Sequence, residues 1–239
     1  MVLQLVRDIR KFLPKVGTRK LHQMLKNDFR TLGYKIGRDK LFSILRDNSL
    51  LLERKRSFQR TTYSNHWYMV FPNLISNFFV FKPNQVLVSD LTYIRTKVGF
   101  VYLSLITDLY SRKILGYCLS RDLTATGCIR SLQMALKQID NPEGMIHHSD
   151  RGIQYCCDDY MKVLDTNKIR VSMTEESHCY ENAVAERVNG ILKDEFLLNN
   201  TFKSFEDADR AVKESVKLYN EYRPHLSLNY KTPQEVYAA

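Results

Sequence analysis

Apolar positions recur with two different periods along the chain, and the change of period divides it. Over residues 1–60 the spacing is helical. Leu21, Met24 and Leu25 follow Thr18, a candidate N-cap, and Leu41, Ile44 and Leu45 follow Gly37 and Asp39. Thr31-Leu32-Gly33-Tyr34 lies between them as a turn, so the stretch predicts two short helices and resembles a helix-turn-helix. Residues 61–82 are aromatic and Asn-rich, with Pro72 and Pro83 as breakers, and predict a linker. From Gln85 the texture becomes β-rich. Runs at 86–94, 101–107 and 113–119, parted by short polar turns, predict an antiparallel meander. A helix over 124–139 follows, with Ile129, Leu132, Ala135, Leu136 and Ile139 on one side. Then come a strand at 145–148, a helix at 159–167, a strand at 169–173 and a long helix at about 181–198. Residues 201–239 add a helix at about 205–222 and a Pro-punctuated tail.

The order βββαβαβα joins three hairpin-linked strands to alternating units whose later strands can add in parallel. That order resembles the ribonuclease-H-like α/β fold. The chain therefore divides into a small all-α module at 1–60, a linker at 61–82, an α/β core at 83–200 and a helix with tail at 201–239.

Charge sharpens the division. Residues 1–60 hold 16 Lys and Arg against 5 Asp and Glu, a net +11, while the rest holds 20 against 21, a net −1. A basic module beside a near-neutral one suits polyanion binding by the first, and Arg54, Lys55 and Arg56 form a basic connector at its end. No run approaches the roughly 20 apolar residues of a membrane span. The first residues, MVLQLVRDIRKFL, carry charges through their apolar positions and do not read as a signal peptide. Five cysteines, two of them adjacent, fit neither a disulfide framework nor a zinc pattern, so they read as reduced thiols in a cytosolic protein.

Three acids fall at telling positions. Asp90 ends the apolar run of the first strand, Asp150 follows the fourth strand, and Glu186 lies in the first turns of the long helix. Divalent cations such as Mg²⁺ take hard oxygen ligands from a few carboxylates, leaving room for water and phosphate. At 100° per residue, Asn182, Gly190 and Lys193 fall within about 40° of Glu186 and Asn189 within about 60°, with Val184, Val188 and Ile191 opposite. A stripe of a carboxylate, two amides, a glycine and a lysine suits the approach of a phosphate backbone. Asp108, at the end of the second strand, is a rival to Asp90. His147 and His148 read as neutral structural histidines, whereas His22, His66, His178 and His225 have no metal-ligand spacing. Gln154 and Tyr155 are expected at the site entrance.

These residues carry a resemblance. Ser89-Asp90-Leu91-Thr92-Tyr93-Ile94, His148-Ser149-Asp150-Arg151-Gly152-Ile153-Gln154-Tyr155 and Cys179-Tyr180-Glu181-Asn182-Ala183-Val184-Ala185-Glu186 are similar to motifs of the second-reading-frame (OrfB) products of insertion-sequence-three transposases. These are relatives of retroviral integrases with a DDE acidic triad. Gaps of 59 and 35 residues between the three acids, Lys193 seven after Glu186, and Tyr219-Asn220-Glu221-Tyr222-Arg223-Pro224-His225 before Thr232-Pro233 match as well. The family's tryptophan shortly before the first aspartate is absent, with Leu87 in that neighbourhood, and Ser177-His178 replaces its Gly-Asn.

The resemblance implies a DDE transposase of integrase type. Asp90, Asp150 and Glu186 would be both catalytic residues and ligands of two Mg²⁺ or Mn²⁺ ions. Lys193, Asn182, Asn189, Arg54, Lys55 and Arg56 would touch DNA. The partners implied are the element's terminal repeats, target DNA, further copies of the chain and a first-reading-frame (OrfA) partner or fusion; the location is the bacterial cytoplasm, at the nucleoid. A decayed or regulatory DNA-binding fragment is the alternative, and a simple ribonuclease H would lack the basic module and the tail.

Overall fold

The computed structural model describes residues 1–52, 68–175 and 182–239, so the basic connector Arg54-Lys55-Arg56 lies outside the described residues. Five strands form one sheet: β1 (Val86–Thr96), β2 (Gly99–Asp108), β3 (Ile114–Ser120), β4 (Ile146–Ser149) and β5 (Arg170–Met173), in the order β3-β2-β1-β4-β5. The first three pair antiparallel, with a register shift at Ile106/Thr107, while β4 adds parallel to β1 and β5 parallel to β4. The short turns at 97–98 and 109–113 allow hairpins, whereas reaching β4 in parallel takes a crossover, supplied by α5 (Ala125–Leu136). That helix lies close on β3, since a Cβ at Gly116 would collide with the Ser131 carbonyl. The sheet is the mixed α/β core that the element order predicts.

Helices cover both faces. Leu132 and Ala135 of α5 and Tyr160 and Leu164 of α7 (Asp158–Thr166) bury against Leu87, Ile106 and Leu115. On the other face α8 (Ala183–Glu195) and α9 (Phe205–Glu221) bury Val188, Ile191, Leu192, Val212, Val216 and Tyr219 against Ile94, Leu103 and Leu105. Ser204 caps α9 by accepting from the Asp207 N–H. Among the described residues no helix is long and apolar enough to cross a membrane.

The amino-terminal stretch forms four helices where the periodicity predicts two: α1 (Val2–Phe12), α2 (Thr18–Met24), α3 (Lys26–Thr31) and α4 (Arg38–Asp47). Gly17, not Thr18, is the N-cap of α2, and Thr18 is buried as its first residue. The expected turn is present, with Gly33 at φ +74° and the Tyr34 N–H returning to the Phe29 carbonyl. Val6, Ile9, Leu21, Phe29, Leu41 and Leu45 of these helices belong to the same buried cluster as α8 and α9. A polar contact reinforces the junction. Glu195, at the end of α8, accepts from Lys20 Nζ at 2.8 and 3.0 Å, and from Arg223 Nε and Nη2 at 2.9 and 2.7 Å.

Candidate active site

The parallel register of β1 and β4 sets the geometry. Val88 stands opposite His148 as the last parallel pair, so Asp90 follows it by two residues on β1 and Asp150 follows it by two residues on the chain leaving β4. Asp150 has just left β4, and its Oδ1 accepts from the Gly152 N–H at 3.0 Å. A Cβ at Gly152 would lie 3.0 Å from that same oxygen, so the glycine keeps the turn tight against the carboxylate.

Helix α8 supplies the rest. Asn182 at its N-cap, Glu186 in its first turn and Asn189 stand four and then three residues apart, which is one helix face. Asn182 Nδ2 donates to the Ser89 carbonyl at 2.9 Å, and Asn189 Nδ2 donates to Asp90 Oδ2 at 2.7 Å. The other oxygen of Asp90 accepts from the Leu91 N–H at 2.9 Å. Two amides thus clamp the helix to the strand at the first aspartate, and Glu186, between them and exposed, is held near the same point. The sequence expectation that Asn182 and Asn189 face DNA meets a correction here. Both side chains are buried, and both amide nitrogens are spent on β1.

The electrostatics agree with the convergence. Burial, then the charge of Asp150, raise the pKa of Asp90 to about 7, although the Asn189 hydrogen bond pulls the other way. Glu186 is also raised, by burial first and then by Asp150. Carboxylates that raise one another's pKa are relieved by a cation. Their oxygens are hard donors, and Oδ1 of both Asn182 and Asn189 is buried beside them without a hydrogen-bond partner. The donor chemistry suits a divalent ion, although among the described residues no group of three or more His, Cys, Asp or Glu is gathered closely enough to hold one.

Asp108 belongs elsewhere. It pairs with Leu87, three residues before Asp90 on β1, is fully buried, and its oxygens accept from the Asn84 N–H, the Ser111 N–H and the Ser111 hydroxyl at 2.8, 2.7 and 2.6 Å. It fastens the β2–β3 turn. His147 is the neutral structural residue expected: burial takes its pKa to about 3, and Ser89 Oγ and Tyr160 OH lie 2.6 and 2.8 Å from Nε2. Tyr155 is not at an entrance; it is buried against His147 and Tyr160, while Gln154 is half-buried. Lys193 does return to the stripe, but it is half-buried with Nζ 4.2 Å from the centre of the Tyr93 ring. Helical spacing alone does not reveal Tyr93, although its alternation with Leu91 along β1 is visible in the sequence.

Known proteins resemble the chain in both sequence and fold. Models described as Integrase core domain match residues 81–179 and 167–233. The Insertion element IS600 uncharacterized 31 kDa protein of Shigella sonnei is 37% identical over 219 residues, 91% of this chain and 79% of that protein. Transposase InsF for insertion sequence IS3A of Escherichia coli K12 is 33% identical over 213 residues, 88% of this chain and 74% of that one. In three dimensions the chain resembles the HTLV-2 integrase catalytic core domain in complex with magnesium, at TM-score 0.52 and 16% identity, over 66% of this chain and 99% of that one. It also resembles a chain of the simian T-cell lymphotropic virus intasome in complex with PP2A regulatory subunit B56 gamma, at TM-score 0.57 and 18% identity, over 97% of this chain and 74% of that one. The likeness places the sheet and its helices in the ribonuclease-H-like integrase fold. With a third of its residues shared along nearly its whole length, the chain belongs to the IS3 family of insertion-sequence transposases that carry an integrase core domain.

Proposed function

We propose that this transposase cuts the ends of its insertion element and joins the freed 3′-OH to DNA by in-line displacement at phosphorus, with Asp90, Asp150 and Glu186 as the catalytic, metal-holding acids. What supports this reading is the charge of Asp150 felt by both other acids: it raises the proton affinity of Asp90, on β1, and of Glu186, at the start of α8. Mg²⁺ or Mn²⁺, as two ions, would supply Lewis acidity and charge compensation at the scissile phosphate. The chain's own residues prepare the site. Asn189 aims one oxygen of Asp90, Gly152 lets the backbone hold one oxygen of Asp150, and Asn182 anchors the helix that carries Glu186. Lys193 stands a helical turn beyond Asn189, with an ammonium able to face phosphate.

The amino-terminal helices, with their +11 excess through residue 60, would track DNA phosphates together with Arg54, Lys55 and Arg56. The division into a basic helical module at 1–60, a linker at 61–82, a core at 83–200 and a carboxy-terminal helix and tail belongs to the same proposal. So do assembly with further copies, cooperation with a first-frame partner, and action on cytoplasmic DNA at the nucleoid. The test is to make Asp90→Asn, Asp150→Asn and Glu186→Gln, and to measure cleavage and joining of element-end DNA beside binding. Each change keeps shape and removes a ligand charge, so catalysis should vanish while binding stays. Wild-type joining in any of the three, with Asp108→Asn dead, would overturn the assignment.

A further inference from the structure

One residue past Asp90 on β1, the outer part of the β1–β2 hairpin holds a pocket of about 300 Å³ lined by Leu91, Thr92, Tyr93, Phe100, Tyr102 and Leu123. Its origin is in the register. Tyr93 pairs with Tyr102 and Arg95 with Phe100 across the two strands, so their side chains share one face of the sheet. The Tyr93 and Phe100 rings meet edge to face at 5.1 Å, and Phe100 remains 47% exposed, as does Leu123. Soluble proteins seldom leave three aromatic rings around an open pocket without a ligand for them. No acid lines this one. Two cations rest on its walls instead, Lys193 over Tyr93 at 4.2 Å and Arg95 over Phe100 at 5.3 Å.

We infer that this pocket receives a nucleobase turned out of the stack, from the same DNA strand whose phosphate lies at Asp90. Three features select that occupant. The walls are aromatic and flat, which suits stacking with any base. The cations sit at the rim, where the sugar-phosphate chain of a bound nucleotide would run. The pocket also begins at the residue after Asp90, with Tyr93 three residues along the strand, about 10 Å, on the other face of β1, where Lys193 of α8 reaches round to it. At about 3.4 Å of rise per nucleotide in a duplex, and more once unstacked, the base belongs to one of the first few nucleotides beside the scissile bond. Lys193 touches both halves, held on Tyr93 while its charge is felt by Asp90. Opening the end of the duplex would then be coupled to seating its phosphate. The inference rests on the strand-transfer function proposed above.

The test uses the full chain without metal and two 12-nucleotide probes, oligodeoxythymidylate and an abasic strand of the same length and charge. Stacking one base on an aromatic ring should favour the thymidylate strand about five- to hundredfold. Phe100→Leu and Tyr93→Leu should bring that ratio close to one and leave abasic binding nearly as it was, while Phe100→Trp and Tyr93→Phe retain it. Wild-type protein that binds both strands alike, or a ratio that survives the loss of the rings, overturns the pocket. So does a change of oligomeric state in the leucine variants with the ratio intact, since a second copy would then be the occupant. Metal-dependent nicking of supercoiled plasmid by wild type, absent in Asp90→Asn, is measured on the same preparation. Nicking with no base preference sinks the pocket alone, whereas no nicking sinks the strand-transfer function and the pocket's place beside a scissile bond.

Discussion

Replacing Glu195 by Gln changes one atom type and should cost the chain a large share of its stability. The carboxylate bridges two buried cations: Arg223, 3% exposed, donates two hydrogen bonds to it, and Lys20 donates from α2. Arg223 and Lys20 hold the pKa of Glu195 below the usual range despite its burial, whereas burial takes Lys20 to about 8. The two partners thus disagree about the strength of the pair. The shape of the contact favours a net gain, because the fork of Arg223 is satisfied at both nitrogens. Breaking a buried pair by removing one member typically costs about 3–5 kcal/mol. Gln keeps one acceptor oxygen, so the lower end applies, about 3 kcal/mol. For a chain of this size 1 kcal/mol moves Tm by roughly 2–4 °C, and the variant should melt about 6–12 °C below wild type at pH 7. The deficit has a signature in pH. Lys20 has a folded pKa below its unfolded value of about 10.4, so above pH 8 the unfolded state binds the extra proton and stability rises with pH. Without Glu195 that rise begins lower, and part of the deficit should be regained by pH 9. Melting followed by circular dichroism at pH 7 and 9 decides it. A shift under about 2 °C at pH 7, or a deficit that grows with pH, would refute the reasoning.

Two further outcomes follow from the active-site geometry. Asp90 is raised to about 7 without metal, so it must give up a proton to bind a cation, and apparent Mg²⁺ affinity should rise between pH 6 and 8. In Asn189→Leu, which removes the hydrogen bond that lowers this pKa, the rise should move to higher pH; calorimetric metal titrations with an unmoved profile would count against the clamp. Lys193→Ala loses a cation–π contact worth about 0.5–1 kcal/mol, so it should melt a few degrees lower while DNA binding loses about one unit of salt slope; normal strand joining in that variant would remove the lysine from the site.

Much of the core was legible because its elements obey strong periods. The β-rich runs at 86–94 and 101–107 and the helix near 124–139 lie within a few residues of β1, β2 and α5. Short elements were hidden. Helix α3 buries only Phe29 of its six residues, and a helix of four at Ile153–Cys156 has no room for a period. The tail did carry a signal: Thr232-Pro233-Gln234-Glu235 is a capping box with Pro at the first helical position, and it starts the helix Pro233–Tyr237. For the site, spacing along α8 put Asn182, Glu186, Asn189 and Lys193 on one face, but a helical period says nothing of what that face meets. The amides meet β1, not solvent, because the acids need a helix pressed close to the strand. The lysine meets an aromatic ring whose position depends on the hairpin register, which the one-dimensional pattern left open.

The shared core of the amino-terminal helices and α8 and α9 has a mechanical consequence. A module on a tether explores many distances, and its ligand arrives at the acids by chance. Here Val6, Leu21 and Phe29 are set in the same apolar mass as Val188 and Leu192, which sit on the helix of Glu186 itself. Anything gripped by α2 or α4 is therefore held at a fixed offset from Asp90, as by the jaw of a caliper. Changing that offset would mean repacking the interior, so, with DNA held by these helices as proposed, the cut would fall at a set number of base pairs from the sequence they hold.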